Sequence, residues 1–296
     1  MGLSISLIFV DLLILPAIFL IWLTKRNYKS KIDWIFQFLF TTSYILFIFN
    51  TGRWDWVSYY LRYILIAIFF LSAFFSYKKA KTSPFFTQLN YKRYISLSII
   101  IVLTIVYSKN NFSTIKGFYI NEKPLELVFP LKNGAYYISQ GGNSIHINHH
   151  YTYPPQKYAL DIKKLNEFGI RAKGIIPKQL SRYEIFEDIL FSPCDGEVIK
   201  VVGDRPDMIP LEMDKNKPLG NYVAINHNGI VVYLAHMLNG SLVVKQGDIV
   251  KVGQPIGKVG NSGNTSQPHL HMHAQKESHG VPMTFNGKFL VRNTVI

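Results

Sequence analysis

Three histidines alternate with apolar residues near the carboxyl end of the chain. The segment "QPHLHMHAQ", residues 267–275, places His269, His271 and His273 two positions apart. In a β-strand, residues i and i+2 point to the same face, so the segment would present its imidazoles side by side. Neighbouring imidazoles can bind a metal ion or hold a reacting group beside one. The rest of the sequence decides which other groups join this row.

Two further residues of a suitable chemical type lie in apolar strand patterns. His236 stands near the end of "VVYLAHM", and Asp161 lies within "YALDI". A carboxylate is costly to bury in such a strand unless it is paired or bound to a metal ion. We therefore expect Asp161 to face a cation or a partner.

Short strand patterns separated by turn signals occupy the chain after residue 110. The runs "NYVAIN" and "IVVYLAHM" are joined by "HNG", which is typical of a tight hairpin. The segment "SLVVKQGDIVKVGQPIGKVG" indicates short strands punctuated by glycines. We expect a linker or entry strand at 111–130 and a mostly antiparallel β domain at 131–296. Within it, "SRYEIFEDIL" predicts a short helix that Ser181 caps.

In their order along the chain, these segments resemble the LytM/lysostaphin-type zinc metalloendopeptidases, a peptidoglycan DD-metallopeptidase family with a duplicated-hybrid-motif β fold. The resemblance covers roughly 130–275. Its motifs are "ALDI", "SPCDGEVIKV", "GNYVAINH", "LAHM", "VVKQGDIVKVGQPIGKVGNSGN" and "PHLHMH". It implies a LytM-like, barrel-sandwich hybrid domain that binds Zn²⁺ and hydrolyses peptide bonds of peptidoglycan. It implies nothing about the first 110 residues.

The resemblance also implies a role for each candidate site residue. Asp161 and His271 match zinc ligands, whereas His236 and His269 match the two non-ligand histidines and are expected to be catalytic. A catalytic zinc ion has three protein ligands and one position for water. Imidazoles near that water can move its proton or stabilise the oxyanion that forms. Which of His236 and His269 does which stays open.

The identity of the third ligand is an open point. The family's first histidine usually lies four residues before the aspartate, and here Lys157 occupies that position. Lysine must lose a proton before it can bind zinc, which makes it a poor ligand at neutral pH. In "INHHYTYPPQKYALD", a proline-containing reversal could return an imidazole to the site. We expect His150 as the metal ligand, with His149 or no third ligand as alternatives.

The remaining histidines are interpreted as surface or structural residues. These are His146, His227, His273 and His279. His273 would share a strand face with His269 and His271, which would put it at the rim of the site.

Long apolar runs dominate the first 110 residues. Each is long enough, or nearly so, to cross a bilayer as a helix. We expect an all-α transmembrane part of four helices, residues 1–110. The runs are 3–24, 32–50, 57–76 and 94–108.

Basic residues in the loops predict the orientation of these helices. Lysine and arginine cluster between the first and second runs and between the third and fourth, and such short loops stay in the cytoplasm. The chain after residue 109 is then outside. The prediction is a multi-pass protein of the cell membrane with an extracytoplasmic carboxyl-terminal domain.

Charge and cysteine content exclude some classes of function. The formal net charge is +14, but most of the excess lies in the predicted transmembrane part, where topology explains it. We therefore expect no nucleic-acid partner; the expected partners are peptidoglycan peptides and the lipid bilayer. Cys194 is the single cysteine, so no internal disulfide can form, and we interpret it as a buried structural residue.

The leading hypothesis is a membrane-anchored zinc metalloendopeptidase of the cell wall. The alternative is a catalytically inactive module that binds wall peptides or activates another hydrolase, and Lys157 at a ligand position motivates it. A third hypothesis is a transporter or sensor, because Asp11 and Arg62 lie within predicted spans.

Overall fold

The chain divides into two compact units, Met1–Ile115 and Lys116–Ile296. The structure is a computed structural model that describes residues 2–296, with side chains from residue 6 onward. Residue 1, which the predicted transmembrane part includes, lies outside the described residues. The limits predicted from the sequence, 1–110, 111–130 and 131–296, divide the chain more finely and stay a prediction.

The first unit is helical. Four of its stretches are long and apolar enough to cross a membrane: Ser6–Lys25, Lys31–Thr51, Leu61–Ala80 and Tyr91–Lys116. The fourth is longer than its apolar run because the helix continues through polar residues at its carboxyl end. The elements are α1 (Gly2–Phe9), a π-helical turn (Val10–Ile14), α2 (Leu15–Lys25), α3 (Lys31–Thr51), a 3₁₀ turn (Trp54–Trp56), α4 (Leu61–Ala80) and α5 (Tyr91–Lys116).

An ion pair joins the start of α3 to the start of α5. Ser30 and Asp33 form a capping box at the amino end of α3. Nη2 of Arg93 lies 2.9 Å and 3.1 Å from the two carboxylate oxygens of Asp33, and Nη1 donates to Oγ1 of Thr87 at 2.8 Å. Because these groups are hydrogen-bonded as well as paired, the charge of Asp33 is compensated although the residue is buried.

The second unit is a β domain with mostly antiparallel pairing, which confirms the fold class expected for the part after the helices. Its strands are β1 (Leu125–Leu127), β2 (Ala135–Gln140), β3 (Leu160–Leu165), β4 (Ile189–Phe191), β5 (Gly196–Val202), β6 (Asn221–His227), β7 (Ile230–Met237), β8 (Ile249–Val250), β9 (Pro255–Lys258), β10 (Leu270–Lys276), β11 (His279–Val281), β12 (Met283–Phe285) and β13 (Lys288–Phe289).

One large sheet carries the site. Its strand order is β2-β3-β10-β7-β6-β5-β8, with β11 paired to β10. Strand β10 therefore lies between β3, which precedes the predicted helix segment, and β7, which ends near His236. Strands far apart in sequence become neighbours at this point, and their side chains can meet on one face of the sheet.

The two faces of β10 have different chemistry. Leu270 and Met272 are fully buried in the hydrophobic core of the unit, together with residues of β3, β6 and β7. His271 and His273 point to the other face, as the period of two requires. A shift of one residue would put the imidazoles into the core, so the hydrophobic pattern fixes the register of the site.

The helix predicted at 181–190 does not form. The structure has a 3₁₀ turn at Leu180–Arg182, and the N–H of Glu184 donates to the carbonyl oxygen of Arg171 at 3.0 Å. Tyr183 forms an isolated antiparallel β-bridge with Ala172. The backbone of this segment bonds to residues about ten positions earlier, so tertiary pairing overrides the local capping pattern.

Candidate metal centre

Asp161 and His271 face each other across neighbouring strands. The two residues are register partners on β3 and β10. Nδ1 of His271 lies 3.0 Å from Oδ1 of Asp161, and both residues are buried. The pairing of two strands, which are 110 residues apart in sequence, thus creates the first carboxylate–imidazole contact of the site.

His150 reaches the same carboxylate from a loop. Its Nε2 lies 3.1 Å from Oδ1 of Asp161. The loop is held by the buried side chain of Asn148, whose Oδ1 accepts from the N–H of His150 at 3.1 Å. Nδ2 of Asn148 donates to three carbonyl oxygens, those of Gly142, Lys157 and Ala159. One asparagine therefore fixes the turn that presents His150.

A glycine allows this loop to pack closely on the sheet. The 3₁₀ turn Pro154–Gln156 contacts β10 and β11. A Cβ atom on Gly280 of β11 would lie 3.0 Å from the carbonyl oxygen of Pro154 and 3.1 Å from the backbone nitrogen of Lys157. A larger residue at position 280 would push the loop away from the strand that carries His271.

Lys157, at the usual ligand position of the family, points elsewhere. Its Nζ lies 3.2 Å from Oε1 of Glu122 and 4.7 Å from the centre of the Tyr158 ring. His149 lies closer to the site, since its ring centre is 3.9 Å from that of His150. His149, His150 and Asp161 offer ligand atoms within 4.8 Å of one another. Of the two histidines, His149 is exposed and His150 is half-buried.

His236 enters the site through a β-bulge. The pairing of β6 with β7 shifts register between Asn221 and Tyr222, and His236 adopts a φ of 63° there. A non-glycine residue with a left-handed backbone is uncommon, and a bulge re-aims the side chain of the strand. The side chain is buried, and Nδ1 lies 2.9 Å from the carbonyl oxygen of Ser262.

His269 is oriented in the same way as His236. Its Nδ1 lies 2.8 Å from the carbonyl oxygen of Gln267, and its Nε2 lies 3.5 Å from Oδ1 of Asp161. The rings of His236 and His269 have centres 4.8 Å apart. In both histidines the carbonyl accepts from Nδ1–H, so the Nε2 lone pair faces the site when the imidazole is neutral.

A buried arginine from the segment after β3 supports His269. Nε of Arg171 donates to Oε1 of Gln267 at 2.6 Å, and Nη2 donates to the carbonyl oxygen of Ile175 at 2.7 Å. The carbonyl oxygen of the same Gln267 accepts from His269. Sequence reasoning missed Arg171 because nothing in the local pattern connects it to a residue about a hundred positions later.

His273 is buried, which is the position of a structural histidine rather than of one at the rim of the site. It is 3% exposed, and its Nδ1 lies 3.0 Å from Nε2 of His271. Its ring is stacked on that of Tyr233, with centres 4.6 Å apart and planes inclined by 7°. In contrast, His279 is exposed, and His146 and His227 are half-buried.

Burial favours neutral imidazoles at the site. It lowers the pKa of His271 to about 4 and holds the pKa of His236 well below its usual value. Burial would raise the pKa of Asp161, but the imidazoles of His150 and His269 outweigh it and hold that pKa well below the usual range. Zinc ligation needs a carboxylate and neutral imidazoles, which is the state that these surroundings favour for Asp161 and His271.

The donor set fits a zinc ion. Zinc–nitrogen bonds of 2.0–2.1 Å in a tetrahedral site put ligand atoms about 3.3 Å apart. The distances from Oδ1 of Asp161 to His150 and His271, 3.1 Å and 3.0 Å, are close to this value. The ring nitrogens of His150 and His271 are both directed at this one oxygen, an arrangement that suits a shared cation.

Cys194 is buried, as the sequence predicts. Burial raises the pKa of its thiol to about 12. A thiol in this state is a weak nucleophile and a weak metal ligand, so Cys194 takes no part in the site.

Part of the second unit is similar to known peptidases. Residues 188–283 match the model of Peptidase family M23. Peptidoglycan DD-endopeptidase ShyB of Vibrio cholerae serotype O1 is 36% identical over 83 residues, which are 28% of this chain and 16% of ShyB. Peptidoglycan DD-endopeptidase ShyA of the same organism is 44% identical over 61 residues, 20% of this chain and 14% of ShyA. The chain thus matches less than a fifth of these relatives.

Solved structures give weaker likenesses. A zinc-containing peptidase from Vibrio cholerae has 22% identity and a TM-score of 0.34, with 54% of this chain and 39% of that chain covered. The catalytic domain of lysostaphin from Staphylococcus simulans has 20% identity and a TM-score of 0.28, with 49% and 79% covered.

The family match confirms the resemblance found in the sequence. The matched residues include His236, His269 and His271, whereas His150 and Asp161 precede them. Residues 188–283 are thus similar to the domain of Peptidase family M23.

Proposed function

We propose that the chain is a zinc-dependent endopeptidase that hydrolyses peptide bonds of peptidoglycan outside the cytoplasmic membrane. The observation that carries the proposal is the convergence of two imidazoles on one carboxylate, with two further imidazoles beside them. His150, Asp161 and His271 are the proposed metal ligands, and His236 and His269 the proposed catalytic residues. The family match and the names of the two relatives support this class of reaction.

The chemistry divides between the metal and the two catalytic imidazoles. Bound zinc supplies a Lewis acid, which lowers the pKa of water and polarises a peptide carbonyl. His236 and His269 hold Nδ1 against backbone carbonyls, which leaves Nε2 free to act. One such nitrogen takes a proton from the attacking water and returns it to the leaving amine. The other, when it is protonated on both ring nitrogens, donates a hydrogen bond from Nε2 to the oxyanion.

The distance between the rings of His236 and His269 supports a joint role for the two residues. Ring centres 4.8 Å apart bring both imidazoles within reach of one substrate carbonyl. The backbone carbonyls that accept from Nδ1–H fix the tautomer of both neutral rings before substrate arrives. The division of roles between them is left open.

The helical unit supports a location of the reaction outside the membrane. Four stretches long and apolar enough to cross a membrane support anchoring in the bilayer. Basic loops after the first and third stretches support an exterior position for the second unit. A domain outside the membrane would meet wall peptides directly, which agrees with the proposed substrate.

The first experiment measures zinc and hydrolysis on the full chain purified in detergent. We expect about one zinc ion per chain, as in other three-ligand catalytic sites, and new amino termini when muropeptides are added. His271→Ala removes a ligand and would abolish both. His279→Ala changes an exposed histidine near the same strand and would leave both unchanged. A wild-type chain without zinc at neutral pH would contradict the proposal.

The same experiment tests the inactive alternative. Lys157 at the usual ligand position motivates a binding or activating module, whereas the short distance from Nε2 of His150 to Oδ1 of Asp161, 3.1 Å, supports the enzyme. Binding of muropeptides without release of amino termini, by a chain that has lost its zinc, would favour that alternative.

A further inference from the structure

We propose that His273 is a positioning residue, which accepts a hydrogen bond from Nε2–H of His271 and so directs the metal-binding lone pair of His271 toward Asp161. The inference rests on the proposed zinc site. It concerns a residue beyond the five assigned to that site. It gives the third histidine of the row a role distinct from ligation and from proton transfer to substrate.

The contact between the two imidazoles is close and buried. Nδ1 of His273 lies 3.0 Å from Nε2 of His271. The residues share one face of β10, and their exposed fractions are 3% and 2%. Water has little access to either ring, so each imidazole depends on the protein for its hydrogen-bond partner.

Proton placement links this contact to the metal. A neutral imidazole carries its proton on one ring nitrogen only. If Nδ1 of His271 is to bind a cation beside Asp161, the proton must sit on Nε2. A buried N–H needs an acceptor, and Nδ1 of His273 is at hydrogen-bond distance. His273 must then carry its own proton on Nε2. Partners of this kind commonly set the tautomer and orientation of ligating histidines.

Tyr233 holds the ring of His273 in place. It lies opposite His273 on β7, and the two rings are nearly parallel at 4.6 Å. The hydroxyl of Tyr233 accepts from Nε2 of Gln275 at 3.2 Å. The stacking fixes the plane of the His273 ring, so Nδ1 keeps its direction toward His271.

Two substitutions separate the effect of the hydrogen-bond acceptor of His273 from the effect of its aromatic ring. His273→Phe keeps a ring that can stack on Tyr233 but has no acceptor. His273→Asn has no ring but attaches an oxygen to Cγ, where histidine has Nδ1. We expect zinc affinity to fall about 10- to 100-fold in the Phe variant, the usual effect of removing such a partner. The Asn variant should recover most of this loss.

The measurement is competition with a zinc chelator, on the full chain in detergent, together with the visible spectrum of the Co²⁺-substituted protein. A changed Co²⁺ spectrum in the Phe variant, restored in the Asn variant, would indicate a reoriented ligand rather than a damaged fold. Both readouts are independent of hydrolysis, so the inference can be tested even if the chain cleaves nothing.

Each contrary result has its own meaning. Equal zinc affinity in wild type and the Phe variant would overturn the inference but not the proposed function. Equal losses in the Phe and Asn variants would overturn the acceptor role. If circular dichroism shows that the Phe variant is unfolded, His273→Gln replaces it, because its oxygen lies one bond further from Cγ. The Asn variant is then expected to bind zinc tightly and the Gln variant weakly. Equal zinc affinities of the two variants would overturn the inference.

Discussion

Nδ1 of His271 lies 3.0 Å from Oδ1 of Asp161, because β3 and β10 pair with these two residues in register. The contact depends on the hydrophobic pattern of both strands rather than on any loop. A loop brings His150 to this pair, and a β-bulge directs His236 into the same site.

His150, rather than His149, should be the third ligand. His150→Ala removes the ring nitrogen that lies 3.1 Å from Asp161. Loss of a ligand should lower zinc affinity by on the order of a hundredfold or more, beyond the effect of a supporting residue. His149→Ala removes an exposed neighbouring ring and should have a much smaller effect. Chelator competition measures both, and the reverse order would reassign the ligand to His149.

His236→Asn should stop hydrolysis and leave zinc in place. Asparagine tolerates the left-handed backbone that His236 adopts, so the bulge should be preserved. The variant lacks the imidazole nitrogen that moves a proton, and a loss of roughly 10²- to 10⁴-fold in kcat is expected. Zinc content and kcat are measured on the same sample. Full activity would remove His236 from the catalytic pair.

Arg171→Met should lower kcat without loss of zinc. The guanidinium of Arg171 holds Gln267, which orients His269. Misplacement of a catalytic group can cost up to about a hundredfold in rate. Arg182→Met is the matched control, since Arg182 lies in the same segment but is exposed. An Arg171 variant as active as the Arg182 variant would show that the segment does not support His269.

Stability of the metal-free protein should fall in acid. Burial lowers the pKa of His271 to about 4, whereas the unfolded chain titrates near 6.5. Between these values the unfolded state binds more protons, so the free energy of unfolding decreases as pH falls. The loss is on the order of 1 kcal/mol per pH unit for each such histidine. Above about pH 7 the free energy of unfolding should no longer depend on the titration of these histidines.

The same titration should govern zinc retention. Protons compete with the metal for neutral imidazoles, so zinc content after dialysis should be constant near neutral pH and decline as pH falls toward 4. Thermal unfolding of the zinc-free chain and metal analysis over this range provide the test. A stability that stays flat between pH 4 and 6.5 would show that the imidazoles are not held neutral by burial.

The orientation in the membrane can be tested with single cysteines. Cys194 is buried and its thiol pKa is about 12, so the native chain should not react with a maleimide. Lys215→Cys adds an exposed thiol in the β unit, and Lys81→Cys adds one after α4. A membrane-impermeant maleimide should label position 215 in intact cells, and position 81 only after permeabilisation. The opposite pattern would invert the topology.

Residue types and their periodicity were sufficient to predict the architecture. Long apolar runs predicted four helices, and alternating strands with turn signals predicted the antiparallel β domain. Both signals are local, because hydrophobic burial imposes a period of two on strands and a minimum length on helices that cross a bilayer. The same alternation put His271 and His273 on one face of β10 while Leu270 and Met272 entered the core.

Tertiary structure decided how the side chains of the site are held. The side chain of Asn148 turns His150 toward Asp161, and the bulge at His236 re-aims the side chain of that residue. Arg171 reaches Gln267 from a segment that forms turns instead of a helix. His273 became a buried partner of His271. These contacts join residues that are distant in sequence, and their existence depends on strand register and loop closure, which no local pattern encodes.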